Sequence, residues 1–262
     1  MPIVRINGER VHYWAGRDHP LGEEDCVLFI HGAGGGQYSW SSQKAFFEKH
    51  LTPIILELPG HGESTGEGEE EIGRYADHIV SFLRAMRLSK VSLVGHSMGG
   101  AIAQALALTR PEMIRKIVLV GTGARLRVVP MILNGILEDF EGTVRKITRF
   151  AFSRKVSPVL FERSLSDLRR CRPEVLHRDF LACNRFDLTA EVERIGLPTL
   201  VVCGDEDEMT PLKYSEFLHH RIKGSKLEVL PNAGHMVMME VPQAFNEKVG
   251  TFLVSPTFAE NS

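Results

Sequence analysis

The sequence predicts an α/β fold in which a mostly parallel sheet is flanked by helices. Three observations carry this reading. Short apolar runs recur and end at glycine or a His-Gly pair, among them "CVLFI" (26–30), "KVSLVG" (90–95), "KIVLVG" (116–121) and "PTLVVCG" (198–204). Helical segments separate them, and strands alternating with helices build a parallel sheet covered on both faces. One long stretch, 123–192, holds helical patches and no convincing strand, which marks an insertion into a core made of 1–122 and 193–262.

The elements follow in order. Asn7-Gly8 is a hairpin turn signal between two short extended runs, so the chain opens with an antiparallel edge. "CVLFI" is a buried strand ending at His31-Gly32. "SWSSQKAFFEKH" (39–50) reads as a helix and "TPIILEL" (52–58) as a strand. The loop "PGHGESTGEGEEE" leads into the helix 72–86, where its glutamates are expected to favour the helix start. Then come the strand "KVSLVG", the helix "SMGGAIAQALAL" and the strand "KIVLVG". The insertion carries "PMILNGILEDF", "VRKITRFAF" and "SLSDLRR" as helical patches, with thirteen Lys and Arg against nine Asp and Glu. We read it as a helical lid. "PTLVVCG", the helix "PLKYSEFLHHRI", the strand "KLEVLP" and a last helix "PQAFNEKVGTFL" complete the pattern.

Composition removes several function classes. A net charge of -2 points to neither nucleic acid nor an anionic membrane as partner. No apolar run approaches the roughly 18 residues of a membrane span, and "MPIVRINGER" lacks the apolar centre of a signal peptide. Cys26, Cys171, Cys183 and Cys203 are scattered with no CxxC pair, which fits reduced thiols in a cytoplasm rather than disulfides or a zinc site. Cys26 and Cys203 fall in strand runs and are expected to be buried.

The chemistry concentrates at strand ends. Gly95-His96-Ser97-Met98-Gly99 fits G-x-S-x-G on a strand-to-helix corner, the context this nucleophile motif requires. The corner projects the Ser97 hydroxyl above the sheet at a helix N-terminus, whose free N–H groups favour a developing anion. A serine hydroxyl needs a base, and the base needs an orienting acid. Of the histidines, His96 should leave the corner in another direction, and His219 and His220 lie on a helix. His12, His19, His50, His78 and His177 lack a strand-end context. His235 follows "KLEVLP" through "NAG" and is placed to reach back over the sheet. For the acid, Asp205, Glu206, Asp207 and Glu208 after "PTLVVCG" are all candidates, in the chain order Ser…Asp…His. The loop His31-Gly32-Ala33-Gly34-Gly35-Gly36 matches neither phosphate-binding glycine pattern. The backbone N–H groups of Ala33 and Met98 are therefore read as donors to an oxyanion.

With "FIHGAGG", "LPGHGES", "GHSMGG", "GDEDEMTP" and "NAGHMVMMEVP" in this order, the chain resembles the α/β-hydrolase superfamily over nearly its whole length. The resemblance implies an eight-stranded sheet with a lid after the sixth strand, Ser97 as nucleophile and His235 as base. The spacing of Asp207 from Gly204 and Pro211 matches the family's acid. Glu57 stands where the family usually has aspartate, a change expected to alter loop packing more than chemistry. Ser97 argues against relatives that open epoxides or displace halide with an aspartate. The resemblance implies no metal or organic cofactor and a small-molecule ester substrate of small or medium acyl group. The oligomeric state stays open. Hydrolysis of a thioester, or of a C–C bond in a vinylogous diketone, is the alternative. A noncatalytic ligand-binding receptor on the same fold is a further one.

Overall fold

The computed structural model describes residues 2–16 and 26–255. His19 lies outside them. Eight strands form one sheet in the order β1-β2-β4-β3-β5-β6-β7-β8. These are β1 (Ile3–Ile6), β2 (Glu9–Ala15), β3 (Cys26–Ile30), β4 (Thr52–Leu56), β5 (Val91–His96), β6 (Ile114–Val120), β7 (Thr199–Gly204) and β8 (Lys226–Leu230). β1 and β2 are antiparallel, joined through Asn7 and Gly8. Both turn residues have positive φ, as a two-residue hairpin turn requires. From β4 to β8 every pairing is parallel.

The central strands are apolar on both faces because both are covered. Leu28 and Ile30 of β3 share one core with the buried sides of α2 (Ile72–Ala85), α3 (Met98–Thr109) and α8 (Leu212–Arg221). Val27 and Phe29 point the other way, into a core with Trp40, Phe47 of α1 (Ser41–Phe47), Val237 and Met238 of α9 (Val237–Glu240), and Phe245 of α10 (Pro242–Val254). The two-residue period of a strand makes this division. Cys26 and Cys203 lie buried within β3 and β7, as expected.

Between β6 and β7 run four helices: α4 (Pro130–Glu138), α5 (Phe140–Ala151), α6 (Pro158–Leu168) and α7 (Pro173–Arg185). They have a small core of their own, with Ile136, Val144, Leu165 and Leu176 at its centre. Three glutamates of the loop before α2 have a different role from the one their sequence suggested. Glu67 pairs with Arg172 at 3.1 Å, Glu70 with Arg185 at 2.9 Å and Glu69 with His78 at 3.0 Å. None of them stands in the first turn of α2. The acidic loop thus faces the basic ends of α7, and both arginine pairs are exposed enough that each adds little stability. Glu57 is buried and folds the "PGHG" loop onto itself, its Oε2 accepting the Glu63 N–H at 2.8 Å.

Candidate active site

β5 ends one residue before Ser97, and α3 begins one residue after it. The turn between them puts Ser97 at φ 52°, ψ -114°, a conformation side-chain-bearing residues rarely adopt. Glycines permit the corner. A Cβ on Gly95 would collide with the Gly99 carbonyl, and one on Gly99 with the carbonyl of Ile30 in β3. The backbone is held on every side. Ser97 N–H donates to Val120 O at 2.8 Å, and Ser97 O accepts from Gly100 N, Ala101 N and the Thr122 hydroxyl.

His235 sits on the loop after β8. Its Nδ1 donates to Asp207 Oδ2 at 2.9 Å, which leaves Nε2 as the basic nitrogen. Asp207 follows β7 by three residues and is 5% exposed. Its Oδ1 accepts the N–H groups of Met209 and Thr210, and its Oδ2 accepts the Thr210 hydroxyl at 2.8 Å. Burial alone would raise the Asp207 pKa. The neighbouring imidazole and these hydrogen bonds outweigh it and hold the carboxyl below its usual range. Of the four acids in "DEDE", only Asp207 touches His235. Asp205 and Glu208 are exposed, and Glu206 accepts the Arg154 N–H.

His96 is a neighbour of the site and lines the smaller cavity together with Ser97 and His235. Its Nε2 donates to the His235 carbonyl at 3.0 Å, and the two rings lie 4.7 Å apart. Burial and the nearby His235 push its pKa down to about 3, so it stays neutral.

Two cavities meet at Ser97 and His235. The smaller, of about 80 Å³, reaches past Gly32 and Ala33 to Tyr38, His96 and Phe152. The larger, of about 250 Å³, opens past Leu126, Arg127, Phe150 and Tyr214. Ile147 of α5, Phe180 and Cys183 of α7, and Met209 border both. Neither the Ala33 nor the Met98 N–H donates a hydrogen bond among the described residues. Of the residues singled out in the sequence, Ser97, His235 and Ala33 line the smaller cavity, Asp207 lies behind His235 on its Nδ1, and Met98 begins α3 beside Ser97. Sequence reasoning missed Thr210, whose hydroxyl lies 2.8 Å from Asp207 and 3.2 Å from His235 Nδ1. It also missed Glu240, whose carboxylate accepts Gly234 N–H at 2.7 Å and Ser153 N–H at 2.9 Å, tying the His235 loop to the end of α5. A Thr three residues after a candidate acid was the only trace of the first. Nothing local marked the second.

Among the described residues, no helix is long and apolar enough to cross a membrane. No cluster of three or more His, Cys, Asp or Glu among them has the arrangement to hold a metal.

Comparison with known proteins agrees with this architecture. The chain is 28% identical over 233 residues to a pimeloyl-[acyl-carrier protein] methyl ester esterase of Neisseria meningitidis serogroup B, covering 84% of this chain and 89% of that protein. It is 29% identical over 256 residues to the 2-hydroxymuconate semialdehyde hydrolase of Pseudomonas sp. strain CF600, covering 90% and 89%. The solved structure of a thermophilic esterase superposes with a TM-score of 0.85 at 37% identity, covering 96% of each chain. A family model described as alpha/beta hydrolase fold matches residues 25–242, and the chain belongs to that family.

Proposed function

We propose that this protein is a serine hydrolase that cleaves a carboxylic ester of a small or medium acyl group through an acyl-enzyme. The observation that carries the reading is the buried Asp207–His235 hydrogen bond at the cavity edge that also holds Ser97. His235 Nε2 takes the Ser97 proton as Oγ attacks the ester carbonyl. The tetrahedral oxyanion is received by the N–H groups of Ala33 and Met98. His235, its charge balanced by Asp207, then protonates the leaving alcohol, and water repeats the cycle on the acyl-enzyme. Residues 123–192 act as the lid: they supply apolar walls of the cavity at Ser97 through Ile147, Phe152 and Phe180. The names of the relatives support ester hydrolysis. The 2-hydroxymuconate semialdehyde hydrolase supports a second reading, hydrolysis of a C–C bond beside a carbonyl.

The test is a panel of aryl and methyl esters, thioesters and vinylogous diketones, assayed with wild-type protein and Ser97→Ala. The ester reading expects turnover of esters above the other classes, falling by up to about 10⁶ in the variant. Ester turnover kept by pure Ser97→Ala rejects the assignment. Preference for diketones replaces it with the second reading.

A further inference from the structure

Asp179 is a buried carboxylate that the mechanism does not use. It lies on α7 with no exposure, and three donors from three separate segments converge on it. Gly34 N–H donates to Oδ2 at 2.8 Å, His61 Nε2 donates to Oδ2 at 2.8 Å, and the Tyr75 hydroxyl donates to Oδ1. The other nitrogen of His61, Nδ1, lies 3.0 Å from the Pro59 carbonyl, which is also an acceptor. Both ring nitrogens therefore carry protons, and the pair is an imidazolium against a carboxylate inside the protein. Burial opposes a charged His61, but the Asp179 charge and the hydrogen bonds to Asp179 and Pro59 prevail and raise its pKa.

Gly34 immediately follows Ala33. Residues 32–35 form a turn closed by Gly35 N–H to Gly32 O at 3.0 Å, and Gly34 has φ 63° in its third position. That pattern suits a type II turn, which differs from type I by a flip of the central peptide, here Ala33–Gly34. The N–H of that peptide is the group Asp179 accepts. The Gly34 carbonyl is held too, by the Tyr38 hydroxyl at 3.0 Å. A Cβ on Gly34 would collide with Leu176 of α7 and Leu168 of α6, so the turn also seats tightly on the insertion. Leu176 and Asp179 are three residues apart, on one face of the helix.

We propose that Asp179 is a positioning residue: from the inserted helix it locks the Ala33–Gly34 peptide, and so fixes the neighbouring Ala33 N–H as a donor to the oxyanion. The proposal rests on the serine-hydrolase reading above. A preorganised donor acts on the transition state and hardly on the bound ester, so losing it lowers kcat with little change in KM.

The experiment compares Asp179→Ala, Asp179→Asn and Tyr75→Phe with wild type, on the full chain and the best ester of the panel. Folding is checked by circular dichroism and thermal melting. Asp179→Ala is expected to lose about 10–100-fold in kcat with KM within about threefold, the scale of a displaced rather than deleted donor. Its Ki for a trifluoromethyl ketone, which forms the tetrahedral oxyanion, is expected to rise by the same factor as kcat/KM falls. In Asp179→Asn the amide oxygen can still accept from Gly34 while its NH₂ faces the Tyr75 hydroxyl, so most of the lost rate returns. Tyr75→Phe strips the network of a donor without touching Gly34; it is expected to melt lower with kcat nearly unchanged. If Asp179→Ala does not fold, the double variant Asp179→Leu/His61→Leu replaces the buried ion pair with hydrocarbon and still leaves Gly34 without its acceptor. Unchanged kcat and Ki in the folded variant overturn the proposal, as does an equal loss of kcat in Tyr75→Phe, which would reveal a role in stability alone. Ser97→Ala stays the separate control: if it retains turnover, the serine-hydrolase reading has failed rather than this one.

Discussion

Ser97 adopts an unfavourable backbone conformation, and on the serine-hydrolase reading removing its side chain should relieve that strain while inactivating the protein. At φ 52° and ψ -114° a residue with a Cβ lies outside the three main allowed regions, at a cost of about 1–3 kcal/mol. Glycine carries no such penalty there, but it loses about 0.5–1 kcal/mol more chain entropy on folding than alanine. The four backbone hydrogen bonds of Ser97, to Val120, Gly100, Ala101 and Thr122, do not involve its side chain and survive either change. Ser97→Ala and Ser97→Gly both lose the hydroxyl, so their difference isolates the Cβ. Ser97→Gly is expected to be more stable than Ser97→Ala by about 1 kcal/mol, or roughly 3 °C in melting temperature for a chain of this size. Urea unfolding at pH 7.5 measures it, provided the two variants share one m-value. A glycine variant equal to or less stable than the alanine variant would refute the strain argument. The corner would then be no more than a comfortable turn.

Two further outcomes follow from the site's neighbours. Thr210→Val removes the hydroxyl between Asp207 and His235 while keeping the side chain's shape, so a buried carboxylate oxygen loses a donor; kcat should fall about tenfold and stability by about 1–2 kcal/mol, read by ester turnover and urea melts. Acid should destabilise the fold early. His31 and His96 are buried and stay neutral down to about pH 3, whereas in the unfolded chain both take up protons near their ordinary value of 6.5. The contribution of these two rings is thus full above about pH 6.5 and falls as the pH drops toward 3, by up to about 1.4 kcal/mol per pH unit for each ring, whereas that of His61 is lost as the pH rises above 6.5. His61, whose pKa is raised, is protonated in both states well below 6.5 and adds no slope there. Urea midpoints that stay flat between pH 6.5 and 5 would contradict this pair of assignments.

Much of the fold was legible because its signals are local. Most central strands are short apolar runs that end at or near a glycine, and helices follow them. Two faces of burial explain why Val27 to Ile30 show no polar alternation. The four motif loops were legible for a related reason: an open parallel sheet gathers its strand ends along one edge, so residues at the ends of β3, β5, β7 and β8 converge without any other information. What could not be read were ties between segments distant in sequence. Glu240 bridges Gly234 and Ser153, and the glutamates at 67 and 70 reach arginines of α7 more than a hundred residues away. Local pattern predicted a helix-start role for those glutamates because the helix was the only partner visible nearby.

α7 has the most to say about function. Its buried face runs Val175, Leu176, Asp179, Phe180, Ala182 and Cys183, a stripe with helical spacing in which one position is an acid. An aspartate in the middle of an apolar stripe interrupts the helical spacing that local pattern reads. A fully buried carboxylate costs several kcal/mol unless it is paired and hydrogen-bonded, so a fold keeps one only where its partners repay it. Here one of the partners is the peptide next to Ala33, in the loop that lines the smaller cavity beside Ser97. A leucine at 179 would have completed the apolar stripe and left the Gly34 N–H without this acceptor. The residue that interrupts the stripe is the same one that joins the insertion to the loop of the candidate oxyanion site. Local rules are expected to fail where a position serves a distant site instead of its own element.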